Sequence, residues 1–161
     1  MMLVTVGSSP FPFDRLLRAV DHWEVEEELI VQHGPSMIRP RQATCVDFLS
    51  FDELVDLVRR ARLIVMHAGV GSILTALVER QHPVVVPRRR SFGEAVDDHQ
   101  LTFVQRAHEL GLVSWLEDLE RLPPGIVDHL ADAEQPSLVA SPIESELRAY
   151  LAQSVGPPAA V

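Results

Sequence analysis

The chain has 161 residues, 47% of them hydrophobic, and a net charge of −9 at neutral pH. That length makes one domain with a single core, and the apolar share excludes a disordered chain. The negative balance argues against a nucleic-acid protein, which needs a basic face to neutralise phosphates, although Arg88-Arg89-Arg90 forms a local basic cluster.

In chain order, Met2 to Val6 predicts a first strand, closed by the turn Gly7-Ser8-Ser9. Pro10 and Pro12 lead into a helix near Phe13 to Val20, with Leu16, Leu17 and Val20 as its buried stripe. Glu28 to Gln32 reads as a second strand ending at His33-Gly34-Pro35, and Thr44 to Phe48 as a third. Ser50 and Glu53 form a capping box, with Leu49 and Leu54 as a staple, opening a helix whose Leu54, Leu57 and Val58 face the core. Cys45, the only cysteine, sits in an apolar stretch as a small core residue; no disulfide framework exists, which fits a reducing cytoplasm.

The most informative stretch runs from Leu63 to Leu77. Leu63 to Met66 predicts a buried parallel strand, His67-Ala68-Gly69-Val70-Gly71-Ser72 a glycine-rich turn, and Ile73, Leu74 and Leu77 a helix ending near Arg80. A helix entered through glycines presents unpaired backbone N–H groups and the positive end of its dipole, a site for an anion such as a phosphate. Gly69 and Gly71 allow a ligand close to the backbone, and Ser72 adds a hydroxyl. His67 reads either as an imidazole facing that ligand, and then the one possible catalytic residue of this chain, or as a buried turn residue.

Val84 to Val86 is a further strand between Pro83 and Pro87, followed by a loop from Arg88 to Val96. A helix from about Asp97 to Leu110 stops at Gly111, and Val113 to Trp115 is a last short strand. Asp97-Asp98-His99-Gln100 opens that helix; the acids suit its dipole, and the imidazole and amide suit sugar hydroxyls. The three arginines fit either a diphosphate or carboxylate clamp or a solvated loop. Pro123-Pro124-Gly125 precedes a small helix, and Ser141-Pro142-Ile143-Glu144 caps a final helix at about 141–152. The domain therefore covers residues 1–153, and 154–161 is a Pro/Ala-rich flexible tail. No apolar run approaches the roughly 20 residues that span a bilayer, and the opening residues lack the pattern of a signal peptide. No metal-ligand spacing and no Gly-x-Ser-x-Gly elbow occurs, so neither a metal site nor a serine hydrolase is expected.

Strands alternating with helices at this spacing predict an α/β domain, a Rossmann-like parallel sheet with helices on both faces. Ligands of such sheets sit at the carboxyl ends of the strands, near a topological switch point. Both Gly/Ser turns and the segment after Val86 lie on that edge. A dinucleotide enzyme would need Gly-x-Gly-x-x-Gly after the first strand; only Gly7 stands there, and the second strand ends in Gln32 rather than an acid.

Val4-Thr5-Val6-Gly7, His67 to Ser72, Val85-Val86-Pro87-Arg88, Phe92-Gly93-Glu94 and Asp97-Asp98-His99-Gln100 together resemble the C-terminal domain of glycosyltransferase family 28, over roughly Met1 to Gly111. The resemblance is strongest to its stand-alone subunits, the small subunit of the two-part dolichol-diphosphate N-acetylglucosaminyltransferase and, more closely, the bacterial two-part exopolysaccharide glucuronosyltransferase type. It implies one half of a GT-B fold, the half that holds a UDP-sugar, with no metal or other cofactor. Gly7, Ser8, Ser9 and the run Gly69, Val70, Gly71, Ser72 would receive the diphosphate, with His67 and Ala68 also at the donor. Ser50-Phe51 with Leu54 would lie at the uracil, Gln32 and Arg88 near the donor, and Asp98, His99 and Gln100 at the sugar. Where relatives carry a carboxylate for the ribose hydroxyls, this chain has Thr75, with Glu79 a turn later as a possible substitute.

The resemblance further implies inverting transfer to a lipid-diphosphate-linked acceptor, in exopolysaccharide or glycolipid synthesis. The general base and the acceptor site would lie on a membrane-associated partner subunit that holds this chain at the inner face of the membrane. Alone, the chain would be silent, or would cover its partner surface as a homodimer. The final helix, with Ile143, Leu147 and Leu151 on one stripe, serves either as a docking element or as packing on its own domain. The alternative is a non-catalytic regulatory or binding subunit with a weakened donor site, which Thr75 favours.

Overall fold

The computed structural model describes residues 1–119. Its elements run β1 (Met2–Thr5), α1 (Asp14–Asp21), β2 (Leu29–Gln32), β3 (Thr44–Val46), α2 (Phe51–Arg60), β4 (Leu63–His67), α3 (Val70–Val78), β5 (Val84–Val86), α4 (His99–Glu109) and β6 (Ser114–Trp115). All strand pairs are parallel, in the order β3-β2-β1-β4-β5-β6. The predicted helix after Pro123, the capping box at Ser141, the final helix and the tail lie outside the described residues.

The short apolar runs form strands covered on both faces, as parallel sheets require. β4 and β5 are buried at every position. Side-chain alternation divides the core in two. Met2, Val4, Leu63, Val65, Val84 and Val86 pack with Phe13 and with Leu16, Leu17 and Val20 of α1. Leu3, Ile64, Met66 and Val85 pack on the other face with Leu57 and Val58 of α2, Ile73, Ala76 and Leu77 of α3, and Phe103, Val104 and Ala107 of α4. Helices therefore cover both faces, α1 one and α2, α3 and α4 the other.

The order of strands places the site. After β1 the chain moves outward through β2 and β3, then crosses back to lay β4 on the other side of β1. Thr5 stands opposite Met66, so the ends of β1 and β4 are neighbours whose outgoing connections diverge, the arrangement that opens a crevice at the carboxyl edge.

Several boundaries move from the expected ones. The turn Val70-Gly71-Ser72 is already the first turn of α3, with Gly69 at its N-cap. α4 begins at His99 rather than Asp97, because Asp98 takes the N-cap position and its Oδ1 accepts from the Arg90 N–H at 3.1 Å. The loop after β5 contains one turn of 3-10 helix, Arg90–Phe92. Leu54 packs against the core as expected but is only half-buried, and Leu74 is half-buried too. Leu74 lines a surface groove between α2 and α3. Cys45 is half-buried against the α1-side core, and that burial raises its pKa.

Candidate functional site at the switch point

Two adjoining hollows of about 220 and 330 Å³ lie over the carboxyl ends of the strands. They share Gly7, Ser8, Gln32 and Phe48; Thr5, Leu49, Phe51, Leu54 and Ser72 complete the first, and Ser9, Pro10, Gly34, Pro35 and Asp47 the second. Thus the structure brings the first Gly/Ser turn, Gln32, Phe51 and Ser72 to one cleft.

Gln32, at the end of β2, is buried and uses its whole amide to shape that cleft. Its Oε1 accepts from Thr5 Oγ1 at 2.7 Å and from the Gly7 N–H at 2.9 Å. Its Nε2 donates to the carbonyls of Gly7 at 3.1 Å and Asp47 at 3.0 Å. Gln32 therefore holds the Gly7 turn and the exit of β3 in place. Beside it, buried His33 pairs through Nε2 with Asp47 Oδ1 at 2.6 Å, and its Nδ1 lies 2.7 Å from the Gly34 carbonyl.

The two helices that start on this edge differ. α2 is closed by its predicted capping box: the Ser50 Oγ accepts from the Glu53 N–H, and Glu53 Oε2 accepts from the Ser50 N–H at 2.8 Å. α3 has no side-chain cap bond and no acid in its first turn. The first N–H groups of a helix have no partner within it, so α3 offers donors and dipole together where α2 does not. A methyl group built on Gly71 meets nothing within 4 Å, so the backbone there is open to a ligand.

Gly69 has another role. A Cβ on Gly69 would come within 2.1 Å of the His67 ring, and so would one on Gly7, whose φ of +74° itself favours glycine. The two glycines, from the turns after β1 and β4, enclose the imidazole. Its Nδ1 accepts from the Gly69 N–H at 3.0 Å, and its Nε2 lies 3.2 Å from Ser72 Oγ. Burial first, and the positive charge of Arg88 second, lower the His67 pKa to about 4, so the ring is neutral at physiological pH. Of the two sequence readings for His67, the structure has the buried ring, in contact with the cleft through Ser72.

Arg88 is not the diphosphate or carboxylate clamp the sequence allowed. Its guanidinium is buried, donating through NH1 to the carbonyls of Phe11, Pro12 and Glu94 and through NH2 to that of Val6 at 2.7 Å, and it stacks over Phe13. Burial lowers its pKa to about 10, partly offset by Glu94, and it stays charged. Arg88 thereby clasps the end of β1, the loop before α1 and the loop after β5. Arg15 completes this with a paired contact to both oxygens of Glu94, 2.9 Å each, and Arg89 pairs with Glu117.

The remaining expected residues stand further off. Ala68 is buried and Val70 packs on the core. Thr75 donates its hydroxyl to the Gly71 carbonyl at 2.9 Å and lines the α2–α3 groove with Phe51, beside the Arg59–Glu79 ion pair. Asp98 stands at the N-cap of α4, which begins at His99; neither Asp98 nor Gln100 is among the residues lining the two hollows, and Gln100 Oε1 is buried without a partner. Phe48, which sequence reading did not single out, is 69% exposed and borders both hollows. The sequence placed it at the end of the third strand, whereas β3 stops at Val46 and leaves Phe48 in the loop beyond. Among the described residues, no group of three or more His, Cys, Asp or Glu side chains is placed to hold a metal.

The strand order, with its switch point between β1 and β4, defines a doubly wound, Rossmann-like α/β architecture. The chain belongs to a family: the glycosyltransferase family 28 C-terminal domain model matches residues 1–151. Solved GT-B glycosyltransferases share the fold. SnogD from Streptomyces nogalater matches with a TM-score of 0.62 at 22% identity, over 98% of this chain and 40% of its own. The calicheamicin glycosyltransferase CalG4 gives 0.59 at 17% identity, over 96% and 44%. Acinetobacter baumannii MurG gives 0.52 at 20% identity, over 80% and 39%. The chain thus spans less than half the length of these structures. A comparison with curated proteins found no match.

Proposed function

We propose that this chain is the donor-binding subunit of a two-component, metal-independent, inverting glycosyltransferase that moves a sugar from a UDP-sugar to a lipid-diphosphate-linked acceptor. The observation that carries the reading is the uncapped start of α3 at the switch point, with Ser72 on the cleft and open space over Gly71. Membership of the family and the GT-B likeness support it. In this reading the acceptor hydroxyl attacks the anomeric carbon as the bond to the diphosphate breaks on the opposite face. The α3 amides and dipole stabilise the charge left on UDP. A base must take the hydroxyl proton. The one carboxylate lining the cleft among the described residues, Asp47, is engaged by His33. The base is therefore assigned to a partner subunit, which would also carry the acceptor site and hold the chain at the cytoplasmic face of the membrane.

Calorimetric titration with UDP, UDP-glucose, UDP-glucuronate and UDP-N-acetylglucosamine, without metal, tests the donor site. Binding with preference for one sugar is expected; no binding of any of them at millimolar concentration sinks it. Transfer assayed with the partner subunit tests the rest, since an equimolar mixture no more active than either component removes the two-component model.

A second reading, a binding or regulatory subunit with a weakened donor site, has one observation in its favour. The Thr75 hydroxyl already donates to the Gly71 carbonyl, which leaves it only as an acceptor for a ribose hydroxyl and without the bidentate reach of a carboxylate. Weak UDP binding that a Thr75→Glu substitution strengthens would support that reading.

A further inference from the structure

We infer that His67 is a positioning residue that turns the Ser72 hydroxyl into a dedicated hydrogen-bond donor for an anionic ligand; the ligand itself rests on the donor-site reading above. The inference follows from hydrogen-bond polarity. A backbone N–H can only donate, so the 3.0 Å contact from Gly69 requires a bare Nδ1. A ring with bare Nδ1 is neutral and carries its proton on Nε2. Nε2 lies 3.2 Å from Ser72 Oγ, so the ring donates there and the hydroxyl accepts. The serine's own proton is then left to point elsewhere, on a residue that lines the cleft.

This arrangement removes a choice. A serine in a helix commonly donates back to the carbonyl one turn earlier, as Thr75 does to Gly71 in the same helix. A free hydroxyl is also indifferent between donating and accepting, whereas a phosphate oxygen can only accept. With one lone pair taken by Nε2–H and its proton directed away from the ring, Ser72 presents a donor to the cleft, which suits an oxyanion. The ring holds this setting because Gly7 and Gly69 pack against it so closely that a Cβ on either would overlap it. Turning the ring over would put carbon where each nitrogen now stands and lose both bonds. The low pKa of His67, about 4, keeps the setting constant across the neutral pH range.

The test has two arms. Nitrogen-15 NMR of the whole chain, with His67 signals assigned by their loss in His67→Gln, reads the tautomer directly. The expected result is one neutral ring protonated on Nε2, unchanged between pH 5 and pH 8. A proton on Nδ1, or titration within that range, overturns the inference whether or not UDP binds. The second arm measures UDP affinity in a double-mutant cycle. Ser72→Ala should weaken UDP about 10-fold or more, the value of one hydrogen bond to a charged group. His67→Leu should cost about 5- to 10-fold with Ser72 present and less than about 2-fold in the Ser72→Ala background, because the two act as one unit. His67→Gln, which keeps an N–H near the Nε2 position, should recover part of the loss. Equal losses in both backgrounds would make His67 merely structural and overturn the inference. A wild-type chain that binds no UDP overturns the donor-site reading and the phosphate role of Ser72 with it, while the NMR arm still decides the ring.

Discussion

α2 and α3 begin on the same edge of the same sheet, within one cleft, and their first turns are built in opposite ways. α2 is sealed by Ser50 and Glu53, with Asp52 and Glu53 answering its dipole. α3 has glycine at its cap, no acid in its first turn, and beneath it a neutral imidazole instead of a charge. The difference teaches that a helix start is kept open to an anion as much by what is withheld as by what is supplied. A side chain that capped α3 would stabilise the helix and occupy the donors. The arginine cluster shows the converse, for Arg88, a deeply buried positive charge near the cleft, spends both terminal guanidinium nitrogens on carbonyls, and only its Nε is without a partner.

The contrast can be broken at its support. Arg88→Met would leave four carbonyls without their donor and release the loops on either side of the cleft. We expect a loss of about 3 kcal/mol or more in denaturant unfolding, by far the largest effect here. The neutral ring under α3 sets the next one. His67 titrates near 6.5 when unfolded and near 4 when folded. Between those values the unfolded chain holds a proton that the native chain does not, so stability falls as pH falls through the window. The contribution is absent above about pH 6.5 and reaches about 2 kcal/mol at pH 5. His82, also lowered by burial, acts in the same direction. Urea midpoints of wild type against His67→Gln across this range isolate the share of His67; parallel curves would refute it.

Smaller changes sharpen the comparison. Ser50→Ala opens the sealed helix and should cost about 1 kcal/mol in the same unfolding measurement. Gly71→Asp does the reverse, giving α3 the acid it lacks. The fold should gain by less than about 1 kcal/mol from dipole and helix propensity, while UDP affinity, read by calorimetry, should drop at least about 10-fold through charge repulsion. An aspartate there that left binding intact would move the anion site away from α3.

Much of this was legible before any coordinates. The apolar runs at Met2, Leu63 and Val84, the capping box at Ser50 and the strand–glycine–helix passage at Leu63 to Leu77 are local patterns, and each became the element it predicted. What was not legible depends on partners distant in the chain. Whether Arg88 faces solvent or the interior is settled by carbonyls of residues 6, 11, 12 and 94, which only the fold assembles. Gly7 and Gly69 looked like two open turns; that they hold one ring between them follows from β1 lying beside β4. Leu74 matched the helical stripe, yet its neighbour across the groove is the α2 surface rather than the sheet.

The pairing of β1 with β4 also bears on how the cleft comes into being. Met2 meets Leu63 and Thr5 meets Met66, so no local stretch can build the site in advance of the sheet. Contacts of such long sequence separation carry a loop-closure cost and form slowly. A nucleotide that recognises only the finished cleft would have little to bind while the chain is still folding. It should therefore leave the refolding rate nearly unchanged and slow unfolding instead, so that occupancy lengthens the life of the native state without hastening its birth.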